Sequence, residues 1–188
     1  MVVGEGFSLL KTEINIMNKN QRKSTRLPNY NYFKTAYYFI TTCTYQHKCT
    51  LATIEGQQSS IENLYATAVV KLTKYGSVVD KTINELLKKY PNISICYYVI
   101  MPNHLHLIVE QKNGRESSCP TTNITNIMGY FKYQTTKLIN EGNNNIIKIW
   151  QRSFYDHIIR NKKDYLRIVK YIKTNPLKWE LDKYYKLK

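Results

Sequence analysis

"YYVIMPNHLHLIVEQ", Tyr97 to Gln111, is the most apolar segment of the chain, and it holds two of only four histidines. Apolar and β-branched residues run on both sides of Pro102-Asn103, a pair with strong turn chemistry. The stretch therefore reads as the end of one strand, a tight connection and a second strand, "HLHLIVEQ". Strand side chains alternate, so His104 and His106 share one face while Leu105 and Leu107 take the other.

Working outward, "AYYFITTCTYQ" (36–46) is β-branched and aromatic without a breaker, which predicts an earlier buried strand. After a linker containing "EGQQSS", residues 61–90 carry Leu64, Ala68, Leu72, Ile83, Leu86 and Leu87 at helical spacing, which predicts a helix interrupted near Gly76. The segment "PNISICYYVIM" supplies the strand before the turn. A helix is expected from near Thr122, with Ile124, Ile127, Met128, Phe131 and Leu138 on its apolar side, ending before "NEGNNN". "IWQRSFYDHIIR" reads as a loop entering a short strand. Asn161, three residues before Asp164, is a good N-cap for a last helix, "KKDYLRIVKYIKT", which Pro176 stops. The order β-α-β-β-α-β-α predicts an α+β fold: a ferredoxin-like antiparallel sheet followed by a C-terminal helix. Residues 1–21 read as a flexible N-terminal extension and 22–188 as one domain.

Of the formal net charge of +15, +8 falls between Lys148 and the C-terminus, from 12 Lys+Arg against 4 Asp+Glu. Such an excess points to a polyanion, nucleic acid before an anionic membrane surface. The basic residues expected to grip phosphates are Arg22, Lys23 and Arg26 before the first strand. Lys132, Arg152, Arg160, Lys162, Lys163 and Lys170 follow later. Trp150, Phe154 and Tyr155 are stacking platforms for unpaired bases or, for Trp150 equally, part of the core. Cys43, Cys49, Cys96 and Cys119 match no zinc or Cys-x-x-Cys spacing, which fits reduced thiols. No run approaches the ~18 apolar residues of a membrane span, and the opening residues do not resemble a signal peptide.

Two imidazoles on one strand face can reach a single cation and leave positions open, the pattern of a catalytic site; a hydrogen-bonded histidine pair explains the same tripeptide. On the last helix Tyr165, Ile168, Val169 and Ile172 form a stripe that should face the sheet. Tyr171 falls at the edge of that stripe, with Asn175 one turn on. A residue before proline is pushed from the α region, so Asn175 is expected in the last turn or just beyond. Tyr171 is either chemically active or a half-buried member of an amphipathic helix. His157, next to Asp156, is either a satisfied strand histidine or a supporting group near a phosphate.

Together these segments resemble the single-tyrosine HUH transposases, most closely the REP-associated tyrosine transposases. The resemblance covers about residues 22–179 and rests on "RKSTRLPNYNY", "YYFITTCT", "YYVIMPNHLHLIV", "FKYQTTKLIN", "IWQRSFYDHIIRNKKDY" and "YIKTNPLKW", in that order. It implies that His104 and His106 bind a divalent metal, Mg²⁺ or Mn²⁺, that Asn175 completes the site, and that Tyr171 is the nucleophile. It further implies metal-dependent nicking and strand transfer of single-stranded or hairpin DNA through a 5′-phosphotyrosine, by a cytoplasmic, nucleoid-associated monomer or homodimer with no membrane role. It leaves residues 1–16 unexplained, with Met17 as an alternative start. The rival readings are an inactive relative that binds hairpin DNA and an RNA-binding module, the latter without its usual aromatic signature.

Overall fold

The computed structural model describes residues 36–56, 68–112, 123–143 and 146–185. Four strands form the main sheet: β1 (Ala36–Cys43), β4 (Ile93–Ile100), β5 (His104–Gln111) and β6 (Tyr155–Ile159). Their order is β4-β5-β1-β6, with every neighbouring pair antiparallel. With α1 (Lys74–Lys89) and α2 (Ile124–Glu141), this is the expected ferredoxin-like plan. α3 (Lys162–Thr174) follows and carries Tyr171.

Alternation along the strands divides the interior into two layers. Tyr38, Ile40, Leu105, Leu107, Val109 and Ile158 pack with Val79, Ile83 and Leu86 of α1 and Ile127, Met128 and Phe131 of α2. The residues between them face α3: Ile108 and Ile159, with Tyr37 and Phe39, pack on Ile168, Val169 and Ile172. The stripe read from the sequence is thus the buried face of α3, and Asn161 caps it by accepting from Asp164 N at 2.9 Å. Trp150 is buried and its indole N–H donates to Thr135 Oγ1 at 2.8 Å, so it closes the core and is not a platform for bases.

The sequence reading fails at residues 52–55 and 69–72. Val69–Leu72 (β3) pairs antiparallel with Ala52–Glu55 (β2), a two-stranded sheet where linker and helix were expected. The helix begins only at Lys74, where Thr73 caps it by accepting from Tyr75 N and Gly76 N. Gly76 does not interrupt it. A Cβ there would lie 2.0 Å from Leu51 O, so glycine lets the chain entering β2 press against the helix. In α2 the buried residue near the end is Ile139 and not Leu138.

Asn175 sits just beyond the last turn of α3, as expected, but not in the extended conformation that a residue before proline favours. It caps α3 from within the α region (φ −58°, ψ −44°) despite the proline after it. Pro176 opens a 3₁₀ segment, Pro176–Leu181, so the chain keeps turning after α3. Cys43 and Cys96 are not in disulfides. Arg22, Lys23, Arg26, Leu64, Cys119 and the proposed extension lie outside the described residues. Among the described residues, no helix is long and apolar enough to cross a membrane.

Candidate active site

Both histidines are buried on the α3 side of β5, with ring centroids 4.5 Å apart. β5 lies between β4 and β1, so ladder bonds on both sides fix its backbone. The register sets Thr41 opposite His106, and Thr41 Oγ1 lies 2.8 Å from His106 Nδ1. His104 Nδ1 lies 2.8 Å from Asn103 Oδ1, while His104 Nε2 is buried without a hydrogen-bond partner. Burial disfavours the imidazolium: it pushes His104 down to about 4, against a partial upward pull from Asp182. Burial also holds His106 well below the usual range, helped by repulsion from His104 and Lys183. Both rings are therefore neutral at physiological pH, the state in which imidazole binds cations.

α3 brings Tyr171 to the pair. Its hydroxyl is 3.3 Å from His106 Nε2 and 3.4 Å from Asp182 Oδ2. Phe39 braces the arrangement, stacked on His106 and edge-on to the Tyr171 ring. Burial pushes the Tyr171 phenol above its usual range, and the Asp182 charge pushes it further. The hydroxyl thus stays protonated unless the charge beside it is offset. Asn175 Nδ2 donates to Asp182 Oδ2 at 2.8 Å, which leaves Asn175 Oδ1 buried and without a partner. His104, His106, Tyr171 and Asn175 are thus brought together.

Asp182 is the member that the sequence reading missed. Its carboxylate and the two imidazoles form a group whose ligand atoms all lie within 4.8 Å of one another and that could hold a metal ion. The 3₁₀ turn after Pro176 carries it back over Tyr171. Tyr184 N caps its other oxygen at 2.8 Å, and the Tyr184 ring leans on His104 at 4.7 Å. Only an acidic residue within a lysine-rich tail hinted at it.

The remaining expected residues spread over the molecule. Lys170 lines a cleft of about 430 Å³ that opens on Tyr171, Asn175 and Asp182, with Arg167, Lys178 and Lys183 also on its walls. Arg160 and Lys162 line a cavity of about 340 Å³ beside Tyr37 and Tyr165 at the start of α3, and Lys163 is exposed nearby. Arg152 and Lys132 line a separate groove with Tyr133 of α2. Lys132 donates to Gln151 O and Ser153 O, and burial lowers it to about 8, so its charge is already engaged in holding a loop. His157 pairs with Asp164 of α3 at 2.7 Å, not with Asp156, because adjacent strand residues face opposite sides of the sheet. Tyr133 lies on α2, which packs on the face opposite the histidines, and it is 64% exposed.

Residues 31–175 match the family described as Transposase IS200 like. The chain belongs to that family. An uncharacterized protein of Haemophilus influenzae is 34% identical over 181 residues, covering 88% of this chain and 94% of the relative. A second Haemophilus influenzae protein, provisionally named a REP-associated tyrosine transposase, is 30% identical over 114 residues. That match covers 57% of this chain and 62% of the relative. The fold resembles the solved structure of a REP-associated tyrosine transposase bound to a REP hairpin. The TM-score is 0.55 at 23% identity, covering 84% of this chain and 76% of that one. The family and these relatives support a transposase-like role.

Proposed function

We propose that this transposase-family chain nicks and rejoins single-stranded or hairpin DNA through a covalent bond to Tyr171. The observation that carries the reading is the Tyr171 hydroxyl, 3.3 Å from His106 Nε2 beside His104 and Asp182. Tyr171 has its oxygen at a group suited to a cation.

The residues fit a divalent ion. His104 Nε2 and Asn175 Oδ1 are buried acceptors without partners, and burial keeps both imidazoles neutral. Two imidazoles and a carboxylate suit first-row divalent ions, and added oxygen ligands suit Mg²⁺. His104, His106 and Asp182 would hold the ion, with the Asn175 oxygen beside them. When bound, it would neutralise charge on the scissile phosphate and offset the charge that holds the phenol protonated.

Tyr171 Oη then attacks phosphorus, and the bond to the 3′ oxygen breaks. The phenolic proton passes to Asp182 Oδ2, which already lies in hydrogen-bond reach, and the departing 3′ oxygen takes a proton from solvent. The products are a 5′-phosphotyrosine and a free 3′-hydroxyl. Attack by that hydroxyl reverses the step and joins strands without a nucleotide cofactor. Arg167, Lys170, Lys178 and Lys183 around the cleft supply a salt-sensitive grip on the backbone.

The test is a denaturing gel of labelled single-stranded and hairpin DNA incubated with Mn²⁺ or Mg²⁺. The wild type should form a covalent adduct and Tyr171→Phe none, with binding retained in both. Adducts that persist in the variant would remove Tyr171 from its role, and binding without adducts in the wild type would leave a DNA-binding relative that does not cut.

A further inference from the structure

Asn103, at the tight turn before β5, is fully buried. Its side-chain nitrogen donates to two backbone oxygens, Tyr184 O at 2.7 Å and His47 O at 3.3 Å. Carbonyl oxygens only accept, so the carboxamide has one sensible orientation, with its nitrogen toward them. Its oxygen is then the atom that meets His104 Nδ1 at 2.8 Å. A carboxamide oxygen cannot donate. The proton of that bond must therefore sit on Nδ1, and in a neutral imidazole Nε2 is left as a bare lone pair. That nitrogen is buried and has no hydrogen-bond partner, on a ring grouped with His106 and Asp182.

We propose that Asn103 is a positioning residue that locks His104 in its Nδ1–H tautomer and so presents Nε2 to the cation before any ion arrives. The opposite tautomer would set a bare Nδ1 against the Asn103 oxygen, two acceptors facing each other. It would also drive an N–H into the place of the ion, and both faults are expensive in a buried site. His106 has no such lock. Its Nδ1 meets the Thr41 hydroxyl and its Nε2 the Tyr171 hydroxyl, and each of these groups can donate or accept, so neither fixes the tautomer as a carboxamide oxygen does. The two histidines are thus unequal: one is fixed in advance and the other adapts. The same nitrogen of Asn103 holds the backbone of Tyr184, whose ring leans on His104, so the ring is restrained at its edge and on its face.

The tautomer follows from the hydrogen bonds alone, while its purpose rests on the cation reading given above. Long-range ¹H–¹⁵N correlation spectra of the full-length, metal-free protein report which ring nitrogen carries the proton. The wild type should show His104 protonated on Nδ1. Asn103→Asp loses the donor to Tyr184 O and His47 O but keeps an acceptor for that proton, and should preserve the pattern; Asn103→Leu removes both and should lose it. Free Mn²⁺ counted by electron paramagnetic resonance should show affinity falling roughly 10- to 100-fold in Asn103→Leu, the usual scale for loss of an orienting partner. Asn103→Asp should stay within a few-fold of wild type on the same scale. A wild-type His104 protonated on Nε2 overturns the proposal whether or not the variants fold. So does a folded Asn103→Leu protein with unchanged tautomer and affinity. A wild type with the Nδ1–H tautomer that takes up no Mn²⁺ instead overturns the cation site, and the purpose of the lock falls with it.

Discussion

Acid should destabilise the metal-free protein well before its carboxylates protonate, and His104 sets the scale. Its folded-state pKa is near 4, below its ordinary 6.5, because charging a ring in the buried site is unfavourable. The unfolded chain therefore binds the proton more readily. The stability conferred by a neutral His104 is complete above pH 6.5 and is lost as pH falls toward 4. The gap between 6.5 and about 4, at about 1.4 kcal/mol per tenfold change in proton affinity, comes to about 3 kcal/mol in full. About 2 kcal/mol of this should be gone by pH 5. His106 shifts the same way and adds to the loss. Urea unfolding in EDTA at pH 7.5 and pH 5, followed by fluorescence of the buried Trp150 and Trp179, measures it. His104→Gln should have a visibly smaller difference between the two pH values than the wild type. Equal losses in the two proteins would show that His104 is not a buried neutral ring, and the reasoning from its burial would fail.

Asp182→Asn should weaken Mn²⁺ binding by at least about tenfold and lower the Tyr171 phenol pKa, since the charge that raises it is gone. Difference absorbance against Tyr171→Phe at alkaline pH reads the second effect, and unchanged values on both counts would remove Asp182 from the site. Gly76→Ala should cost about 3 kcal/mol through overpacking, because the new Cβ would lie 2.0 Å from Leu51 O. A thermal melt identical to wild type would mean that the helix and the chain entering β2 part easily.

The elements legible in the sequence were those whose pattern is set locally. β5 was read in full because apolar residues flank a turn pair, and α3 because a cap, a stripe and a proline agree. β3 was not legible. Leu72 continues a helical spacing with Leu64 and Ala68, and only pairing with Ala52–Glu55 makes Val69–Leu72 a strand. At the site, side chains projected from regular elements could be placed from periodicity: His104, His106, Tyr171 and Asn175 meet as the spacing suggested. Asp182 could not, because a 3₁₀ turn with a kink at Lys178 delivers it and no repeat records that path. Asn103 read as turn chemistry alone, since its second task depends on Tyr184, 81 residues away.

The two layers of the interior are unequal in footing. α1 and α2 share a broad apolar seam with the sheet, whereas α3 rests on a smaller cluster of aliphatic and aromatic side chains and the His157–Asp164 pair. Local opening costs less where less apolar surface is sealed. Amide exchange in α3 should therefore outpace that in β5. The broader apolar seam thus lies behind the histidines and the smaller one in front of them, on the side where the proposed substrate strand would meet Tyr171.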